Sequence, residues 1–121
     1  MALIKKHVAQ VIEELPEFST LESAISYFES DHNQDHRDYV IEEIAKLDPT
    51  AKYLITLISN HEIDKSILTK IASVISTMEP NDSIVEYIME LLKLENAYVR
   101  KLGISILRDF GTVIKYNIIK L

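Results

Sequence analysis

No cysteine occurs anywhere in this sequence. Disulfides, thiolate zinc sites, iron–sulfur clusters and a cysteine nucleophile are therefore excluded. Glycine is nearly as scarce, with Gly103 and Gly111 the only two. A loop that cradles phosphate needs glycines for close backbone approach, so that class falls away as well. Two glycines and three prolines are also too few for a sandwich or barrel with many tight turns, which leaves an all-helical chain as the expectation. Long hydrophobic runs are missing too: nothing approaches roughly eighteen consecutive apolar residues, so no segment is expected to span a membrane. The amino-terminal MALIKKHVAQVIEEL has no long apolar stretch followed by small residues and does not read as a secretory signal. Basic charge is in short supply. Lys and Arg number 13 against 19 Asp and Glu, a formal net charge of −6, which opposes a nucleic-acid or anionic-membrane role. A cytoplasmic location is the default expectation.

What is present is ordinary globular composition, 47% hydrophobic and 26% charged over 121 residues, the size of one domain. Apolar residues recur at helical spacing throughout. Leu3, Val8, Val11, Ile12 and Leu15 mark a first helix, ended by Pro16 because the residue before proline avoids helical geometry. Ser19 or Thr20 can cap a second, with Leu21, Ala24, Ile25 and Phe28 on one side. Val40, Ile44 and Leu47 face inward on a third. Asp48-Pro49 is expected to stop that helix and start the next, which places Ala51, Leu54, Ile55 and Ile58 together. Ile63, Ile67, Ile71, Ile75 and Met78 define a fifth. The sixth, about Asp82 to Leu94, is apolar almost all round, as a helix covered on several sides would be.

The stretch Leu91 to Gly111 reads as a helix end, a turn and a complete seventh helix. Asn96 can cap it. Val99, Gly103, Leu107 and Phe110 share one face, and Gly111 follows where a left-handed C-cap prefers glycine. In the Asn96 turn, the Val99-Arg100 pair, small Gly103, Leu107, Phe110 and Gly111, this stretch resembles the HEAT and HEAT-like repeat family. The resemblance implies a right-handed α–α superhelix, a solenoid of about four helix pairs. It also implies that Arg100 makes structural contacts between repeats. An eighth helix begins after Gly111 and stops at Leu121 in mid-pattern, so the chain is expected to be a segment of a longer one or to be completed by a partner.

Spacing supports a repeat. Breaks fall at Pro16, Pro49, Pro80 and Thr112, at nearly equal intervals along the chain. A shift of 31 carries Val40, Ile44 and Leu47 onto Ile71, Ile75 and Met78, and Leu54, Leu57 and Ile58 onto Val85, Ile88 and Met89. A fixed period of this size is the mark of stacked helical units, each unable to bury its apolar face alone. The whole chain, 1–121, reads as one such domain, with pairs at about 2–30, 34–59, 62–94 and 96–121. A closed helical bundle is the competing fold.

Chemistry-bearing clusters are few. In Asp31-His32-Asn33-Gln34-Asp35-His36, His32 and His36 are four apart and could chelate a divalent ion with Asp35 or Asp31. The plainer reading is a polar turn with Asp35 or Asn33 as a helix cap, and it is preferred. Paired carboxylates at Glu42-Glu43 and Glu86 with Glu90 read as a solvated stripe, since no nucleophile accompanies them. No triad context, HExxH or deaminase signature is present. The six tyrosines fit a binding surface, or helix-packing fill with the hydroxyl reaching water.

In HEAT-like stacks the second helix of each pair tends to line a concave groove. The resemblance then puts Ser26 and Glu29, Lys52, Thr56 and Ser59, Ser83, Glu86 and Glu90, and Lys115 along it. The expected function is a scaffold or adaptor that binds another protein, with no catalysis, no cofactor, no nucleic acid and no membrane. Self-association through the last helix pair is a further expectation. Two alternatives stand beside it. One is a lyase-associated or metal-binding regulatory protein, because some HEAT-like proteins resemble bilin lyases. The other is a nucleic-acid-binding member of the family, which the missing basic lining disfavours.

Overall fold

The computed structural model describes residues 15–30, 36–60 and 63–120, with side chains as far as Gly111. The helix expected ahead of Leu15 and the Asp31–Asp35 turn lie outside the described residues. Six helices make up all the regular structure described: α1 (Leu21–Glu29), α2 (Arg37–Leu47), α3 (Lys52–Ile58), α4 (Lys65–Ser76), α5 (Asp82–Leu91) and α6 (Ala97–Lys120). None is long and apolar enough to cross a membrane.

Local chemistry explains most of the starts. Thr20 Oγ1 accepts from Ser23 N at 3.1 Å at the head of α1. Asp64 accepts from Ser66 N at 2.8 Å at the head of α4. Asn81 accepts from Ile84 N at 3.0 Å before α5, and Asn96 from Val99 N at 3.0 Å before α6. Each satisfies an amide that the helix itself leaves without an acceptor. At Asp64, donation from the Ser66 hydroxyl and amide holds the carboxyl below the usual carboxylate range.

Two boundaries differ from the sequence expectation. The helix expected at Pro49 begins three residues later, at Lys52. The Asp48 carboxylate turns into its own loop, accepting from Thr50 N at 3.1 Å and Thr50 Oγ1 at 2.6 Å. Ala51 then takes a left-handed conformation, φ 54°, before the helix starts. At the other end, Gly111 is no cap. It sits inside the unbroken helix α6, and no described glycine has positive φ. A single glycine costs a helix only about 1 kcal/mol, too little to end one whose hydrogen bonds continue on both sides.

The helices form two rows. In one row α2 packs on α4 and α4 on α6; in the other, α3 packs on α5. Across the rows, α1 packs on α2, α3 on α4 and α5 on α6. The connections at Pro49 and Pro80 are therefore the looser ones: α2 touches α3 only lightly, and α4 and α5 are barely in contact. The pairs of consecutive helices in close contact are instead α1 with α2, α3 with α4 and α5 with α6.

The buried positions repeat with the row. Along α2, α4 and α6 they recur at a shift of 31: Val40, Ile71 and Leu102, then Ile44, Ile75 and Ile106, all buried. Along α1, α3 and α5 the shift is 30: Ala24, Leu54 and Ile84 are fully buried. Phe28, Ile58 and Ile88 follow at the same interval, with Phe28 half-buried and the others fully buried. The expected shift of 31 thus holds for the first row. For the second it is one too many, and it wrongly matches buried Ile58 with Met89, which is 47% exposed. The helix at Asp82 is accordingly not covered all round. It buries the stripe Ile84, Ile88 and Leu91 and leaves Met89 outside. On α6, Ile106 is fully buried where Leu107, half-buried, was expected to face inward.

Candidate functional site

Helices α3 and α5 of the second row leave a groove between them. α3 turns Leu54, Ile55 and Ile58 into the core, which leaves Lys52, Thr56 and Ser59 on its outer side. α5 does the same with Ile84, Ile88 and Leu91. The groove, of about 240 Å³, is walled by Lys52, Ile55, Thr56 and Ser59 on one side and Tyr87, Glu90, Leu91 and Leu94 on the other. The helical step of three or four that places Tyr87, Glu90, Leu91 and Leu94 together also places Lys52, Ile55, Thr56 and Ser59 together.

Four of the expected groove residues, Lys52, Thr56, Ser59 and Glu90, do come together there. Ser83 and Glu86 do not line it, and the side chain of Lys115 lies outside the described residues. Missed were the apolar members: Tyr87, Leu94, Ile55 and Leu91. Their signal was available, because the apolar arc of α5 is too wide for the single stripe that one neighbouring row can cover.

The chemistry of the groove is that of contact. The Thr56 hydroxyl donates to Lys52 O at 2.8 Å, so it is turned onto its own helix. Ser59 donates to Thr56 O in the same way. With both hydroxyls so used, the walls present the Tyr87 ring and the Leu94 side chain, 37% exposed. Charge stands at the margins. Lys52 is on one wall, and on the other Glu90 pairs with Lys93 at 3.0 Å. That pair is open to water and adds little stability.

Several other titratable groups are structural ties. Glu43 pairs with Lys46 at 2.9 Å, and Glu42 meets Lys70 at 3.4 Å across a second groove, between α2 and α4. Tyr53 donates to Glu29 at 3.1 Å and joins α3 to α1. Burial first, and then the bond to and charge of Glu29, push the Tyr53 phenol well above its usual value. Tyr39 donates to Pro16 O at 2.8 Å. Tyr98 bonds to Thr69 and so ties α6 to α4. Arg100 donates to Leu94 O and Glu95 O, both at 2.7 Å. It thereby clamps the α5–α6 turn, a local task where contacts between repeats were expected.

Of the expected metal ligands, His32 and Asp35 lie outside the described residues. His36 is 8% exposed, and its Nδ1 is 3.0 Å from the Tyr27 hydroxyl, with the two rings stacked at 6.4 Å. One ring nitrogen is thus already engaged by a phenol. Among the described residues no group of three or more carboxylates and imidazoles converges in a way that could hold a metal ion.

Comparison with known proteins adds no relative: no protein-family model, curated protein or solved structure matches the chain.

Proposed function

We propose that this chain is a non-catalytic helical-repeat scaffold of the HEAT-like kind, a right-handed stack of helix pairs that binds a segment of another protein in the α3/α5 groove. Two observations support the architecture. Buried positions return at a shift of 31 in one row and of 30 in the other, and α2 packs on α4, α4 on α6 and α3 on α5. Nearest-neighbour packing of similar units is what a solenoid requires.

The observation that carries the function is the composition of the groove. Tyr87, half-buried, and Leu94, exposed, line the groove between Lys52 and Glu90. An aromatic and an aliphatic side chain flanked by charge is the anatomy of a protein-binding surface, where tyrosine gives contact area at low entropic cost and rim charges set orientation. The half-buried position of Tyr87 leaves part of its ring to be covered by a partner.

The test is site-directed photo-crosslinking. The full chain is expressed in its source cells with benzoylphenylalanine in place of Tyr87 and, separately, in place of Glu86. The expected result is one discrete protein adduct from position 87, absent at position 86 and lost when Leu94→Asp and Thr56→Arg block the groove. The same adducts from both positions, or an adduct that survives the blocked groove, would show that the groove is not the binding surface.

A further inference from the structure

The repeat identifies the side of each helix that meets the next unit. In the first row, Glu42, Ala45 and Lys46 form the α2 wall of the groove with α4. Two shifts of 31 carry Glu42 and Ala45 to Ile104 and Leu107 on α6. In the second row, Lys52, Ile55, Thr56 and Ser59 form the α3 wall of the groove with α5. One shift of 30 carries these to Asp82, Val85, Glu86 and Met89 on α5. α5 and α6 pack on each other, with Leu91 and Leu92 against Gly103, so these residues form one end face built by two helices. No helix follows α6 among the described residues.

That face is apolar where the inner repeats are polar. Ile104 is 50% exposed and Met89 47%, the two most exposed large apolar side chains described. The corresponding inner positions are Glu42 and Ser73 in the first row, and Glu29 and Ser59 in the second. Val85 and Leu107 beside them are half-buried. A stack that ends in water carries a polar outer face, so this one is suited to being covered.

The chain itself carries a matching element. Along the second row, Ala24, Leu54 and Ile84, then Phe28, Ile58 and Ile88, hold the inner positions at a shift of 30. Thirty residues further on stand Ile114 and Ile118. Residues 112–121 number ten, as many as α5 contains. Charge continues as well. Lys52 and Glu90 line opposite walls of the α3/α5 groove, and the same shift gives Asp82 and Lys120, opposite in sign again. The segment thus has the spacing, length and charge of the next member of the second row. Its own chain does not place it there. α6 is one unbroken helix to Lys120. Gly103 lies at the level of Ile88 and Leu91, and the short connection 92–96 makes α5 and α6 a hairpin. From Gly103 to Thr112, α6 advances about 14 Å, whereas α5 has only about 9 Å left between Ile88 and Asp82. Residues 112–120 therefore run past the start of α5, in line with the first row.

We propose that two copies of this chain exchange these segments. Residues 112–121 of each copy lie on the α5–α6 end face of the other, against Val85 and Met89, with Ile104 and Leu107 beside them. The exchange is two-fold and reciprocal, so each copy gives one segment and receives one. Lys120 of one copy then stands near Asp82 of the other, and the charge pair fixes the register of the contact. No break at Gly111 is needed, because the straight helix is what carries the segment away from its own body. The inference rests on the two-row packing and is independent of what binds in the α3/α5 groove.

The absence of cysteine makes the test direct. One full chain carries Glu86→Cys, a second, size-tagged chain carries Asn117→Cys, and the mixture is treated with a short bismaleimide. The expected product is chiefly the mixed pair, with few pairs of either chain with itself. Sedimentation equilibrium of the parent should show a dimer. Met89→Ser and Ile104→Ser install the residues of the inner repeats at exposed positions, so folding should be unchanged. Each of these, and Ile118→Asp, should weaken the dimer roughly tenfold or more. Mixing Met89→Ser with Ile118→Asp should recover part of the dimer, because one of the two reciprocal contacts is then intact. Gly111→Ala, which favours the straight helix, should leave the dimer in place. The proposal is overturned by a strictly monomeric parent, by a dimer that neither Met89→Ser nor Ile118→Asp weakens, or by mixed cross-links no more frequent than self cross-links. It is also overturned if the double variant Glu86→Cys/Asn117→Cys cross-links within one chain. That last result would put the segment on its own α5, with α6 broken at Gly111.

Discussion

Asn81 holds two turns together with one side chain: its Nδ2 donates to the main-chain carbonyl of Pro49 at 2.9 Å while its Oδ1 caps α5 at Ile84 N, 3.0 Å away. The two breaks, 32 residues apart, are thus joined directly, although α4 and α5, the helices on either side of the second break, barely touch. The two functions of the side chain can be separated. Asn81→Asp keeps the cap and loses the amide donor, for a cost of about 0.5–1 kcal/mol, the low end for a hydrogen bond because the site is exposed. Asn81→Ala loses the cap as well, for about 1–2 kcal/mol in all. Urea unfolding of the three chains should fall in that order; an Asn81→Asp chain as stable as the parent would mean that the bond to Pro49 contributes nothing, and equal losses for Asp and Ala that the cap contributes nothing.

The two glycines of α6 should respond oppositely to a larger side chain. A Cβ at Gly111 meets nothing within 4 Å. Its φ is not positive, so alanine there should stabilise by about 0.5–1 kcal/mol through helix propensity alone. A Cβ at Gly103 meets Leu92 Cδ2 at 3.1 Å and Leu91 Cβ at 3.6 Å. The end of Leu92 can swing aside, so Gly103→Ala should come out near neutral. Gly103→Val also presses on the buried Leu91 and should cost about 1–3 kcal/mol by overpacking. Thermal midpoints measured by circular dichroism decide each case. A destabilised Gly111→Ala would argue that the helix does break at that glycine.

Ala51 is fully buried and left-handed at φ 54°. Glycine would relieve about 1 kcal/mol of backbone strain but remove a buried methyl of similar value. Ala51→Gly should therefore lie within about 0.5 kcal/mol of the parent. Ala51→Val puts a β-branched side chain in that region and overfills the site, and should lose about 2 kcal/mol or more. If valine is tolerated, the chain starts α3 by another route.

Tyr53 provides a pH signature. Its phenol holds its proton to higher pH in the folded chain than in the unfolded one, where it titrates near 10. Below that value both states are protonated and the half-buried, bonded phenol contributes its full stability. As pH rises past about 10 the unfolded state sheds its proton first, so stability falls with pH. Tyr39, raised by burial and then by Glu43, acts in the same direction. Urea midpoints should be level to about pH 9 and drop by about pH 11. Tyr53→Phe should lose about 1 kcal/mol at neutral pH and show a shallower alkaline drop. An equally steep drop in Tyr53→Phe would assign the effect to other groups.

Much of the fold was legible along the chain because its determinants are local. Thr20 and Asn96 cap where they were expected to, since an N-cap acts within three residues. Leu54, Ile55 and Ile58 are buried as the helical spacing requires, and Ala51 is buried too, though ahead of the helix. The breaks at Pro49 and Pro80 fall between helices, as expected. Helix existence, capping and the inner face of most helices follow from near neighbours in the chain, and the order of residues suffices to set them.

Packing in three dimensions set what remained. Gly111 stays helical because nothing in its surroundings rewards a turn. Asp48 folds into its own loop rather than capping at Pro49, because its oxygen finds Thr50 first. The row of α2, α4 and α6 keeps a shift of 31, and the row of α1, α3 and α5 a shift of 30. The difference of one is absorbed in the turns, where no hydrophobic pattern records it. The same holds for the groove. Lys52, Thr56, Ser59 and Glu90 could be placed on helix faces from spacing alone. That Leu94 stays exposed and Tyr87 only half-buried beside them depends on how much of each its neighbours cover, and coverage is a property of packed helices, set by which faces meet in space.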